Sequence, residues 1–312
     1  MNSMLVAANA VLPIAFMMFL GAFLKSRKIV RDTSFKDFNW VVFHVCLPLT
    51  LFNSIQGMDP AMLTDPAIVI FALCSLAVVI ILAMVLIGRM KLDDRQKGVM
   101  VQAIYRSNFV ILGIPIIESI YGTGNTGPTP LLVAFVVPVF NVVSVLILSH
   151  YSGAKGNIVQ TVKKVFTNPL IIGAILGFIY KFSGITMPVM ISGIISQITK
   201  MSTPLSLLVL GGSFEFVSVK NNMKLLTIVT AGRLIIVPVA VLGAAIAMGY
   251  RGVDLASLMA LFAGPAAIAS FSMAQEMGLD GELAAQCVMS TTVCVILTMF
   301  LLISGLGAFG LL

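Results

Sequence analysis

The sequence predicts an all-α polytopic membrane protein built as a single transmembrane domain over residues 1–312. Three observations predict it: the composition, the spacing of the apolar runs and a likeness between the two halves of the chain. Hydrophobic residues make up 59% and charged residues only 10%, with a mean hydropathy of +1.08. A soluble domain carries roughly 25% charged residues to cover its surface, so this chain lacks the polar groups to dissolve itself in water.

Apolar runs lie at about 5–24, 38–56, 66–88, 98–121, 129–150, 167–184, 189–213, 225–249, 255–279 and 282–309. A span needs about 20 residues, so ten transmembrane helices are predicted. The seventh is the weakest, because Gln197 and Lys200 interrupt its first half. Orientation follows from Lys and Arg. The first loop holds Lys25, Arg27, Lys28, Arg31 and Lys36, and the third Arg89, Lys91, Arg95 and Lys97. The fifth holds Lys155, Lys163 and Lys164, and the seventh Lys220 and Lys224, whereas the even loops offer only Lys181, Lys200 and Arg251. Odd loops are therefore expected in the cytoplasm of a bacterial inner membrane, with both termini outside. The first run has no basic residues before it, unlike a cleaved signal peptide.

The net charge of +7 is spread over these short loops, which argues against a nucleic-acid partner. Membrane lipid is the expected surrounding. Cys46, Cys74, Cys287 and Cys294 all fall inside apolar runs with neither metal nor disulfide spacing, and are expected to be buried packing thiols.

The halves resemble each other at one offset. Pro13, Gly21, Lys25 and Ile29 are answered 156 residues later by Pro169, Gly177, Lys181 and Ile185. Pro48-Leu49-Thr50-Leu51 is answered at the same offset by Pro204-Leu205-Ser206-Leu207. Five helices per repeat is an odd number, so the second repeat (about 160–312) enters the membrane upside down relative to the first (about 1–152). Inverted repeats of this kind mark secondary transporters.

Two spans carry interruptions. Gly113 and Pro115 lie in the fourth, and Gly264 and Pro265 near the middle of the ninth. Proline removes a backbone donor and glycine loosens the same place. Freed carbonyls are tolerated in a membrane where they line an enclosed cavity. Interrupted helices at corresponding places in two inverted repeats point to a binding site near the midplane.

The motifs around these breaks resemble those of the auxin efflux carrier family, which includes plant PIN-type carriers and bacterial permeases for malate, malonate and related acids. Asn108 followed by Gly113-Ile114-Pro115 and Tyr121-Gly122 is similar to its Asn-x-x-x-x-Gly-Ile-Pro…Tyr-Gly motif. Leu47-Pro48-Leu49, Arg233-Leu234 with Pro238, the Gly249-Tyr250-Arg251-Gly252 turn, and Pro265, Phe271, Ala274 and Glu276 fit the same family. The likeness covers nearly the whole chain. It implies ten helices with broken helices four and nine crossing, an elevator-like movement against a scaffold, an organic-anion substrate and a homodimer. The loops are short throughout, as in the bacterial members, which turns the expectation away from auxin itself.

Candidate substrate-binding residues cluster at the breaks: Arg106, Ser107, Asn108, Gly113 and Pro115 in the first, and Gly264, Pro265 and Ala266 in the second. The Asn108 amide donates to a carboxylate or accepts from a protonated acid, or else caps carbonyls freed by the break. The family motif includes this position, which favours substrate contact. Arg106 and Arg233 lie deep within helices, where a charge is costly and faces a cavity or a partner. A guanidinium holds a carboxylate through two parallel bonds. For Arg233 the alternatives are capping of helix carbonyls or pairing with Glu276. Asn53 and Asn141 either line the cavity or bond between helices, and His44 is expected to make an interhelical bond near the interface. Glu118 and Glu276 are candidates for coupling to a driving ion, H+ or Na+. No cofactor or metal is expected. Enzymatic chemistry has no paired acid and base, nucleophile or metal cluster to support it. The run Gly122-Thr-Gly-Asn-Thr-Gly lacks the lysine of a phosphate-binding loop, which argues against ATP hydrolysis. The predicted activity is secondary transport of a small mono- or dicarboxylate; a channel, or a receptor that senses the same anion, is the alternative.

Overall fold

The computed structural model describes residues 3–57, 66–122, 126–152, 165–213 and 219–312. Lys155, Lys163 and Lys164, used above for orientation, and residues 123–125 of the glycine-rich run lie outside the described residues. The described elements are helices: α1 (Ser3–Ser26), α2 (Asp32–Gln56), α3 (Pro66–Gly88), α4 (Asp94–Tyr105), α5 (Phe109–Tyr121) and α6 (Thr129–Tyr151). They continue with α7 (Pro169–Ser183), α8 (Val189–Ser213), α9 (Val219–Ala247), α10 (Gly252–Ala263), α11 (Ala269–Glu276) and α12 (Gly281–Ala308). Six of them, α2, α3, α6, α8, α9 and α12, are long and apolar enough to cross a membrane. α8 is continuous through Gln197 and Lys200. α2 and α9 each start six residues before the apolar run, because a polar first turn (Asp32 to Lys36, Val219 to Lys224) extends the helix past its apolar part.

Outward faces are as apolar as the core. Ile70, Val78, Ile81, Leu82 and Leu86 of α3 are all exposed, as are Ile175, Ile179 and Phe182 of α7. Water would penalise such a face, but hydrocarbon does not. Cys74 and Cys294 lie on such exposed faces, so only Cys46 and Cys287 are the buried thiols expected. Lipid solvates an apolar thiol as well as a core does.

Close approach of helices rests on glycine. A Cβ on Gly21 of α1 would stand 2.0 Å from the Leu208 carbonyl oxygen of α8, and one on Gly211 would stand 1.9 Å from the Met18 carbonyl oxygen. α7 meets α2 in the same way: a Cβ on Gly173 would stand 2.5 Å from the Pro48 carbonyl oxygen. Small residues are the means by which helix backbones approach in a bilayer, where no hydrophobic force draws helices together. α1, α2, α7 and α8 thus form one panel, and α3 to α6 with α9 to α12 pack as the other body.

Two helices contain a widened turn before a proline. In α2, residues Val42–Cys46 are π-helical and the Leu47 N–H reaches back to the Val42 carbonyl, ahead of Pro48. In α9, Gly232–Ile236 do the same, with Val237 bonding the Gly232 carbonyl ahead of Pro238. Proline has no N–H to continue the ladder, and the extra residue absorbs the mismatch. The second of these turns carries Arg233.

Candidate functional site

Between α4 and α5 the chain leaves the helix over Arg106, Ser107 and Asn108, and between α10 and α11 over residues 264–268. The two segments meet. Ser107 and Ala266 form an isolated antiparallel bridge. The Asn108 N–H donates to the Pro265 carbonyl at 2.8 Å, and the Ala267 N–H to the Arg106 carbonyl at 3.0 Å. The Ala266 N–H donates to Thr291 Oγ1 of α12 at 3.1 Å. Backbone groups that lose their helical partners thus satisfy each other, as burial demands.

The first break lies earlier than expected. Gly113 and Pro115 sit inside α5, whose helix runs through them to Tyr121. Pro115 is exposed and forfeits only one ladder bond. Gly113 is needed for space: a Cβ there would stand 2.7 Å from the ring of Phe109, which folds back on its own helix. Gly264 and Pro265 do lie at the second break. A Cβ on Gly264 would meet Ser107 Oγ at 2.6 Å, so the bridge fits only with glycine there.

Arg233 is fully buried and sits behind this junction. Its Nε donates to the Gly264 carbonyl at 2.7 Å and its Nη2 to the Leu261 carbonyl at 3.1 Å. Its Nη1 donates to the carbonyls of Ile104 at 3.1 Å and Tyr105 at 3.0 Å. One guanidinium thereby caps the C-terminal ends of both α4 and α10, where unsatisfied carbonyls and the helix dipole concentrate negative charge. Glu276 is not its partner; that carboxylate accepts from Asn39 Nδ2 of α2 at 2.8 Å.

Arg106 is also buried, but it is held differently. Its Nη2 donates to Asn141 Oδ1 at 2.6 Å, its Nη1 lies 3.4 Å from Ser144 Oγ, and Nη1 also meets the sulfur of Met273. Ser144 in turn shares a 2.7 Å bond with the Tyr105 hydroxyl. Among the described residues no carboxylate lies within ion-pair distance of Arg106.

Arg106 opens on a cavity of about 130 Å³ on one side of the junction. Ser107, Asn108, Phe140, Asn141 and Ala267 to Ala269 line one side of it, and Leu47, Thr50, Ser202, Thr203 and Ser206 of the α2–α8 panel line the other. The amide of Asn108 makes no hydrogen bond to the described residues, and Ser107 Oγ is buried without a partner. Thr50 and Ser206 spend their protons on their own helices, donating to the Cys46 and Ser202 carbonyls at 2.7 Å each. Donors that remain for a ligand include those of Arg106 and Asn108, beside the hydroxyls of Ser107, Ser202 and Thr203. α5 and α11 begin at this cavity, so the positive ends of two helices face it. Among the described residues the lining contains no acidic one.

Other candidates lie away from it. Asn53, one turn beyond Thr50, accepts from Gln56 Nε2 at 3.1 Å. Glu118 is half-buried in the last turn of α5, and Glu276 closes α11. His44 bonds within its own helix: Nδ1 lies 3.0 Å from the Trp40 carbonyl and its ring stacks on Trp40 at 4.4 Å. Ser144, Met273, Ser202 and Thr203 were missed as cavity or anchoring residues. The signal for Thr50 and Ser206 was present, since they are matching positions of the Pro-Leu-Thr and Pro-Leu-Ser repeat.

Comparison with known proteins shows the family of the chain. The family described as "Membrane transport protein" matches residues 6–303. A protein of Methanothermobacter thermautotrophicus, named as an uncharacterized transporter, is 24% identical over 298 residues, covering 92% of this chain and 94% of its own. The family match bears out the resemblance that the motifs carried.

Proposed function

Since the chain belongs to the membrane transport protein family, we propose that it is a secondary carrier of small organic anions, mono- or dicarboxylates, that binds them beside the junction of the two interrupted helices. The observation that carries this reading is Arg106: a buried guanidinium with no acidic partner among the described residues, lining a cavity beside the free Asn108 amide. One carboxylate oxygen pair is bound by the donors of Arg106 left over from Asn141 and Ser144, and the Asn108 amide and the two helix N-termini receive the remaining negative charge. The cavity is well below the ~300–1,000 Å³ of drug-sized sites, which suits an acid of few carbons.

In this reading α4 with α5 and α10 with α11 are the crossed, broken fourth and ninth spans of ten, in two inverted repeats with both termini outside. Matched contacts support the repeat. Gly21 packs on Leu208 and Gly177 packs on Phe52, and both residues of one pair stand 156 positions from those of the other. The α1, α2, α7 and α8 panel serves as the scaffold and the other body as the moving unit, with the substrate at their boundary. The Asn39–Glu276 bond crosses that same boundary, so Glu276 is the proposed acidic group for coupling to protons or sodium.

Counterflow in proteoliposomes tests the function. Vesicles loaded with one unlabelled acid from a panel of small mono- and dicarboxylates are diluted into the labelled acid. A carrier accumulates label transiently above the external concentration. Label that only relaxes to equilibrium would identify a channel, and label that never enters would identify a receptor.

A further inference from the structure

Beside the Arg233 hub, a second cavity of about 250 Å³ opens between α3 and α9. Every lining side chain is apolar, and it runs from Met90 and Ile228 at one end to Val79 and Ala240 at the other, with Ile104 and Gly232 as its floor. Eleven or twelve helical residues rise about 16–18 Å, which is half of a hydrocarbon core of ~30 Å and the depth of one leaflet. The floor residues are the immediate neighbours of the hub: Ile104 supplies a carbonyl to Arg233, and Gly232 precedes it in the π-helical turn. The end at Met90 is basic. Arg89 and Lys91 flank Met90, Lys224 lies one turn before Ile228, and all three are exposed.

We propose that this groove is a binding site for an anionic phospholipid, with one acyl chain lying from Met90 toward Ala240 and the phosphate-bearing headgroup held by Arg89, Lys91 and Lys224. The chain packs against Ile104 and Gly232 and so braces the junction of the broken helices through residues that do not line the substrate cavity. Lipid headgroup charge thereby sets the rigidity of the transport site. The site does not depend on which anion the protein carries.

Thermal unfolding of the detergent-purified full chain tests it, with dioleoyl phosphatidylglycerol titrated against dioleoyl phosphatidylcholine. The acyl chains are identical, so a difference reports the headgroup. The glycerol lipid raises Tm at lower concentration than the choline lipid. Arg89→Gln and Lys91→Gln each weaken that half-saturation point roughly fivefold, while Lys36→Gln, an exposed charge on α2, leaves it unchanged. Ala240→Phe, which fills the deep end of the groove away from the headgroup, removes the lipid effect. Equal shifts with both lipids, or equal weakening by Lys36→Gln, would reduce the effect to bulk lipid or bulk charge and overturn the proposal. An undiminished shift in Ala240→Phe would place the lipid elsewhere. Loss of a dimer in Ala240→Phe without any lipid preference in the parent would make the groove a contact between copies, also overturning it.

Discussion

Arg106 and Arg233 are two buried arginines at one junction, yet they are held differently. Arg233 has no exposure at all, and four backbone carbonyls surround it. Its charge is consumed by the C-terminal ends of α4 and α10. Arg106 rests on two neutral side chains and a sulfur, with donors left over toward a cavity. A buried charge is thus not by itself a site. What distinguishes the two is that backbone carbonyls at two helix ends surround Arg233, whereas under the proposed function Arg106 leaves its compensating charge to a ligand.

The comparison is broken most severely at Arg233. Arg233→Gln leaves carbonyls at two helix ends uncapped in a buried place, and a loss of about 3–5 kcal/mol of stability is expected. Thermal unfolding of the purified protein checks it, and Arg233→Lys should rescue little, because one ammonium cannot replace the guanidinium fork. Arg106→Gln should behave oppositely. Its Tm stays near the parent's, while affinity for the transported acid falls roughly 10–100-fold, as for loss of a charged hydrogen-bonded contact. Ligand-induced thermal stabilisation measures this.

A third variant sharpens the junction between them. Gly264→Ala places a Cβ against Ser107 Oγ and should cost about 1–3 kcal/mol as an overpacked contact. The double variant Gly264→Ala with Ser107→Gly should recover a good part of that loss, which a double-mutant cycle reads as coupling. The smallest effect is expected at Asn108. Asn108→Ala removes a neutral amide and should weaken binding about 2–10-fold with stability unchanged.

Much of this was legible in the sequence, for physical reasons. Spans such as α3 and α6 show as unbroken apolar runs because lipid and core favour the same residues. The second break announced itself through Gly264 and Pro265, which sit where the helix ends. The first did not, because Arg106, Ser107 and Asn108 carry no breaker. They leave the helix where Pro265, 157 residues beyond Asn108, and Ala267, 161 beyond Arg106, offer them backbone partners. Proline misled in the other direction: Pro115 is an exposed residue within α5, whose helix runs through it, whereas Pro48 and Pro238 are absorbed by π-helical turns. The two arginines were visible as anomalies, but their division of labour was not. It depends on which carbonyls the fold gathers around each guanidinium, and that is set by tertiary packing alone. Asn141 illustrates the same limit, since only its contact with Arg106 separates it from any other amide in a membrane helix.

The most direct measurement is a thermal-shift screen of the purified parent and Arg106→Gln against small mono- and dicarboxylates. A bound ligand stabilises in proportion to RT ln(1 + [L]/Kd). The expected result is an acid that raises the parent's Tm in a concentration-dependent way and requires far higher concentration in Arg106→Gln. An acid that stabilises both proteins over the same concentration range would contradict the assignment of Arg106 as the anion-binding group.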